Sequence, residues 1–389
     1  MRKLLYPVLL VALYTSGCYY STIKKKDKTV PATKVDSAAQ PLSAVPKAEF
    51  EHYYNTAAAF YENVLEKSHF SGEFLVAKKG EVIFEKYAGH AHIGTEDAIT
   101  ADSPLHLASV SKTFTAMATL KLWEEGKLDI HDEVSKYLIG FPYKGVTIKT
   151  LLNHRSGLPN YVHVMEQLGW SRNKIVYNTD VLQFLVQNKK RLQVAAPDRS
   201  FHYCNTNYAL LALIIEKVSG IPYPQFIYEN FFAPIGMTNS YVFTMADSAR
   251  SLPSYNYKNK QEQFTFLDAV YGDKNVYSTV RDLLKWESAL SYGNMFKPET
   301  LDSAYTGYSH EKKGIKNYGL GWRMLEYPNK DKIIYHNGWW HGNNTVFARL
   351  IQDSATVIIL GNRYNRNIYQ AKKLFNAFGD YETDEDTDE

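Results

Sequence analysis

Cysteine is nearly absent. Cys18 and Cys204 are the two in a chain of 389 residues, which excludes a disulfide framework and a cysteine-rich zinc site. The apolar stretch Leu4 to Tyr14 is broken by Pro7 and falls short of the roughly 30 Å that a membrane-spanning helix must cross. A basic excess is missing too. The net charge is +3; with the acidic residues of 379–389 set aside, the body keeps a small positive surplus, far below a nucleic-acid footprint. The sequence has no His-Glu-x-x-His, no Walker loop, no Gly-x-Ser-x-Gly elbow and no Gly-x-Gly-x-x-Gly. What is present is ordinary globular composition, 45% hydrophobic and 22% charged. That excludes disorder throughout, collagen and coiled coil. Tyrosine is abundant at 30 residues, supplying aromatic area with a polar tip.

The two ends read as something other than fold. Arg2 and Lys3 precede the run Leu4 to Tyr14, and Thr15-Ser16-Gly17-Cys18 follows, the order of a targeting segment. Small residues ending at a cysteine resemble the bacterial lipoprotein cleavage box. That resemblance implies acylation of Cys18 and a membrane-anchored lipoprotein of the cell envelope; the alternative is a plain secretory signal cut near Gly17. Residues 19–46 are rich in Lys, Ser, Thr, Ala and Pro and read as a flexible linker. Residues 379–389 carry seven acidic side chains and read as a disordered tail.

Between them lies one body, 47–378. Helical period runs from Phe50 to Leu65. Phe74 to Ala77 and Val82 to Tyr87 flank Lys78-Lys79-Gly80, a hairpin pattern. Strands are expected at Tyr318 to Leu325, Lys332 to Tyr335, Thr345 to Ile351 and Thr356 to Leu360, and a last helix near Tyr369 to Phe378. The middle is helical, as at Ser111 to Glu125, Tyr208 to Val218 and Thr279 to Leu290. The economical fold is α/β (α+β): an antiparallel sheet built from both chain ends, flanked by helices, with an inserted helical lobe. The sheet lobe covers about 47–105 and 318–378, the helical lobe about 106–317.

Three segments carry chemistry. In Ala108-Ser109-Val110-Ser111-Lys112, a helix beginning at the serine puts Ser109 and Lys112 one turn apart on one face. A desolvated lysine there can take the hydroxyl proton. Alone, the pair is also what a capping serine beside an unrelated lysine looks like. In Phe201-His202-Tyr203-Cys204-Asn205, an extended segment points Tyr203 and Asn205 the same way. His336-Asn337-Gly338 follows the apolar Ile333 to Tyr335.

This ordered set resembles the penicillin-recognising serine hydrolases, which comprise class C β-lactamases, D-alanyl-D-alanine peptidases and related esterases. Their motifs are Ser-x-x-Lys, Tyr-x-Asn, and Lys-Thr-Gly or His-x-Gly. Leu151 to Pro159 and Val276 to Leu283 also match. The resemblance implies a sheet lobe beside a helical lobe with the cleft between them. It implies Ser109 as nucleophile, Lys112 as its activating partner, and Tyr203 as proton shuttle to the leaving group. Asn205 would hold the substrate carbonyl and the lysine, and His336 would replace the third-motif lysine. The backbone N–H groups of Ser109 and of Trp339, after Gly338, would form the oxyanion hole. No cofactor or metal is called for; His90 and His92 read as exposed hairpin residues.

The chain departs from the family pattern in places. Asn337 stands where a threonine often grips a substrate carboxylate. Trp339 and Trp340 stand where small residues are common; Trp339 is expected along the cleft rim and Trp340 on the opposite face. Lys274, in Gly272-Asp273-Lys274-Asn275, replaces part of a glycine-rich wall and is expected to bind carboxylate, or to be a solvated loop lysine. Cys204 reads as a small buried filler. The expected function is a cell-envelope serine hydrolase acting through an acyl-enzyme on a small-molecule or peptide substrate, such as one derived from peptidoglycan. Peptidase or esterase of the D-Ala-D-Ala type leads. The alternatives are a class C β-lactamase and a catalytically silent peptidoglycan-binding protein.

Overall fold

The computed structural model describes residues 44–381. The expected leader with Cys18, nearly all of the linker and the acidic residues 382–389 lie outside the described residues. The ten strands among the described residues are β1 (Gly72–Lys78), β2 (Glu81–Ala88), β3 (Leu105–His106), β4 (Tyr241–Val242), β5 (Val276–Ser278), β6 (Lys316–Tyr318), β7 (Arg323–Glu326), β8 (Lys332–Trp340), β9 (Asn343–Leu350) and β10 (Ala355–Gly361).

Lys79 and Gly80 both take positive φ, 52° and 76°, as a tight hairpin between β1 and β2 requires. Antiparallel pairing then builds a seven-stranded sheet in the order β2-β1-β10-β9-β8-β7-β6. Both chain ends therefore meet at β1 and β10, where Gly72 pairs with Gly361. The small sheet β3-β5-β4 sits apart from it.

One face of the large sheet is covered by the terminal helices. Tyr53, Ala57 and Phe60 of the helix Lys47–Phe60 and Ile368, Ala371 and Leu374 near the C-terminus pack there on Phe74, Ile333 and Val357. The expected last helix, near Tyr369 to Phe378, is a 3-10 helix that starts earlier and spans Arg366–Ala377. Its buried Ile368, Ala371 and Leu374 recur every three positions, with Phe375 beside them, which suits three residues per turn. The expected strand Tyr318 to Leu325 is two strands, β6 and β7. Gly321 at φ 89° and Gly319, whose added Cβ would lie 2.1 Å from the Ala304 carbonyl, turn the chain between them.

The other face carries the helical part. Its centre is the helix Ser111–Glu124, buried on every side from Ser111 to Leu120 rather than along one apolar stripe. Three threonines survive there by bonding backbone carbonyls: Thr113 to Val110, Thr115 to Gly272 and Thr119 to Thr115. A buried ion pair between Arg349 of β9 and Glu287 of the helix Val280–Ser291 ties the two layers together.

Candidate active site

Ser109 lies in a short 3-10 turn, Ala108–Val110, and the α-helix begins two residues later at Ser111. Ala108 is held at φ 48°, a left-handed conformation that costs an L-residue roughly 1–2 kcal/mol. Its N–H donates to His106 Nδ1 at 3.0 Å, which helps hold it. This turn aims Ser109 at Lys112. The Lys112 side chain is fully buried, and its Nζ donates to Ser109 Oγ at 3.1 Å and to the Asp273 carbonyl at 2.7 Å. Its Nζ also lies 5.0 and 5.7 Å from the ring centres of Tyr203 and Tyr208.

Tyr203 stands over the same group, and its buried hydroxyl has no hydrogen-bond partner among the described residues. His154 packs on its ring at 4.4 Å. Asn205 opens the helix Asn205–Ser219 and is half-buried. The lysine's bonds among the described residues go to Ser109 and Asp273, so the expected Asn205–Lys112 bond is not formed. Cys204, between the two motif residues, is buried, and its Sγ donates to the Leu158 carbonyl at 3.3 Å. Burial pushes its thiol up.

His336 is fully buried. Burial, with the charges of Arg323 and Lys112, holds its ring well below the usual histidine range. The neutral ring donates from Nδ1 to the Asn337 carbonyl at 2.7 Å and accepts at Nε2 from Tyr318 Oη at 3.2 Å. It therefore offers the cleft no cation. The guanidinium of Arg323 lies 5.4 Å over the Tyr203 ring.

Gly338 decides which face of β8 serves the site. A Cβ there would lie 2.6 Å from the Leu107 carbonyl and 2.9 Å from Ser109 N. The strand must thus present Gly338 to the nucleophile's turn. Its register against β9 is unbroken, so alternation puts His336 and Trp340 on that face and Asn337 and Trp339 on the other. Trp339 is 64% exposed and packs near Tyr364. Trp340 is half-buried among helical-lobe residues such as Tyr161. The expectation for the two tryptophans is reversed, because the close contact at Gly338 sets the phase. Asn337 likewise lines a cavity on the opposite side of the sheet.

Lys274 is not on an open wall. It is 3% exposed; its Nζ donates to Tyr161 Oη at 2.6 Å, pairs with Asp273 at 3.5 Å and lies 4.7 Å over the Trp340 ring. Burial lowers its pKa, and the Asp273 carboxylate partly offsets this. Tyr161 Oη in turn donates to Asp273 Oδ2 at 2.9 Å. Around the far side, Trp340 Nε1 and His341 bond Asp268, Asn275 donates to the Asp268 carbonyl, and His106 Nε2 donates to Asn275 Oδ1 at 3.2 Å. Burial works against the Asp268 carboxylate, but the His341 bond and charge bring it to about 2. Polar contacts thus run from Lys112 through residues 273–275 back to Ala108, beside Ser109.

Sequence reading missed Arg323, Tyr318, Tyr161 and His154. Arg323 alone left a signal, a charge inside the apolar pattern of a strand. Among the described residues, no cluster of three His, Cys, Asp or Glu side chains is placed to hold a metal ion.

Residues 56–377 match the family model described as Beta-lactamase. The chain is 32% identical over 326 residues to Penicillin-binding protein 4* of Bacillus subtilis (strain 168), covering 80% of this chain and 72% of that protein. Its structure is similar to that of a penicillin binding protein from Bacillus halodurans, at TM-score 0.71 and 24% identity, over 81% of this chain and 98% of the other. It is also similar to the D-amino acid amidase of Ochrobactrum anthropi SV3, at TM-score 0.68 and 20% identity, over 85% and 98% of the two chains. With the serine and lysine in contact beside the third-motif strand, this chain belongs to the β-lactamase family and is a serine hydrolase related to the penicillin-binding proteins.

Proposed function

We propose that the chain hydrolyses an amide or ester through an acyl-enzyme on Ser109, as a D-Ala-D-Ala-type peptidase or esterase of the bacterial cell envelope, anchored by a lipid on Cys18. The single observation that carries this reading is the buried Lys112 Nζ, 3.1 Å from Ser109 Oγ and held by the Asp273 carbonyl. Ser109 Oγ attacks the carbonyl carbon and its proton passes to Lys112. The oxyanion rests on the N–H groups of Ser109 and Trp339. Tyr203 gives a proton to the departing amine or alcohol and regains one from Lys112. Water then adds to the acyl carbonyl, losing a proton to Lys112, which passes it to Ser109 Oγ as the acyl–oxygen bond breaks. Asn205 orients the substrate carbonyl. A relative named as a penicillin-binding protein and a structural neighbour named as a D-amino acid amidase favour a D-amino-acid substrate derived from peptidoglycan.

Efficient β-lactamase action ranks lower. The ring of His336, held neutral by burial, supplies no charge for the β-lactam carboxylate. A silent binding protein ranks lower still, because the serine–lysine contact is intact. A fluorophosphonate probe should label the wild type and leave Ser109→Ala unlabelled; equal labelling of the two would overturn the assignment.

Lys274 acts in this reading as a positioning residue, not a substrate carboxylate binder. Lys274→Met should lower kcat about 10- to 100-fold by loosening Asp273, the acceptor of Lys112. Its effect on KM should be the same for a carboxylate-bearing ester and its neutral amide analogue. A KM increase confined to the anionic substrate would return Lys274 to the cleft.

A further inference from the structure

Behind the sheet, on the face away from Ser109, a cavity of about 760 Å³ opens between β6–β9 and the 3-10 helix Arg366–Ala377. Its floor is apolar, formed by Leu325, Tyr335, Val346, Ala348 and Phe375. Four cationic side chains line it, Lys316, Arg323, Arg366 and Lys372, and among the described residues no Asp or Glu does. An apolar floor under four positive charges suits an extended, carboxylate-rich peptide. Such a peptide is encoded in the same chain: Glu382-Thr383-Asp384-Glu385-Asp386-Thr387-Asp388-Glu389 has six carboxylates in eight residues. It follows directly on Tyr381, which is buried in the same apolar cluster as Phe375. Eight extended residues reach up to roughly 27 Å at about 3.4 Å each, comparable with the length of the nine-residue strand β8 that backs the cavity.

We propose that this cavity is the docking site for the acidic segment 382–389 of the same chain. Two of its walls touch the catalytic layer. Arg323 covers the Tyr203 ring, and Tyr369 Oη donates to the Gly338 carbonyl at 2.7 Å. Docking would thus bear on both the third-motif strand and the tyrosine through existing contacts.

The test uses the full chain with the six carboxylates of 382–389 replaced by amides, titrated with a synthetic peptide of the native 382–389 sequence. The neutralised chain should bind the peptide about tenfold more tightly than the wild type, whose own segment competes at high effective concentration. Arg366→Ala with Lys372→Ala in the neutralised chain should weaken binding about tenfold, as should a rise from low to high salt. Equal binding to wild-type and neutralised chains overturns docking in cis, and so does binding insensitive to the Arg366 and Lys372 substitutions. Absence of peptide binding overturns it too, including the case in which the neutralised chain binds phosphatidylglycerol vesicles through Arg366 and Lys372; that result assigns the cavity to a lipid headgroup.

Discussion

Lys112→Met should cost about four orders of magnitude in kcat toward an activated aryl ester, with KM changed little. The Lys112 amine is the basic group in contact with Ser109 Oγ among the described residues. It is fully buried, which excludes bulk water as a substitute base. Arginine should not rescue the loss, since a guanidinium stays protonated and is a poor proton acceptor. The folded protein should survive the change: methionine fills similar volume and leaves no buried polar nitrogen to satisfy. Steady-state kinetics beside a thermal melt decide the matter. Activity of Lys112→Met within tenfold of the wild type, at an unchanged melting temperature, would remove Lys112 from the mechanism.

Stability should fall steeply as pH drops from about 6 to 5. Three buried imidazoles resist protonation: His106, which burial brings to about 4 against the opposing Asn275 bond, and His154 and His336, both well below the usual range. Their neutral forms cost nothing above the unfolded value near ~6.5. Below it the unfolded chain gains protons that the fold refuses, so stability is lost as pH falls, about 1.4 kcal/mol per pH unit for each. Glu73 works the other way. Burial raises its pKa well above the usual carboxylate range, so the fold keeps a proton that the unfolded chain releases above about 4.3. The three imidazoles outnumber this one carboxyl, so protons are taken up net on unfolding and stability falls as pH drops. Glu73→Gln removes the opposing carboxyl and should steepen the fall. Urea melts at closely spaced pH values measure both slopes. A flat profile between pH 6 and 5 contradicts the burial of these rings as neutral groups.

The parts of this site that could be read in the sequence are those set by local geometry. Ser109 and Lys112 are three apart on a helical turn, and Tyr203 and Asn205 two apart on an extended one, so covalent spacing brings each pair together. The sheet strands are legible as short, continuous apolar runs such as Phe74 to Ala77 and Val357 to Leu360, and the hairpin through Lys79-Gly80. What escaped depends on partners far along the chain. Lys274 looks like a loop lysine until Tyr161 and Trp340 close over it. The faces of Trp339 and Trp340 follow from Gly338 meeting Leu107 and Ser109, a contact no local pattern encodes. The all-round burial of Ser111–Leu120 hid for the same reason: its threonines satisfy themselves against carbonyls, so polarity in the sequence did not mean exposure.

The pairing of β1 with β10 also governs how the molecule is made. Gly72 to Lys78 finds its inner neighbour in residues 355–361, so nearly the whole polypeptide must emerge before the sheet closes. Contacts of such long sequence separation slow folding, because the loop must close before its reward arrives. The nucleophile's turn meets Gly338 only when that late half arrives. A partly synthesised chain therefore has Ser109 and Lys112 but lacks the strand that closes on their turn, and that arrangement is complete only after the last strands have been made.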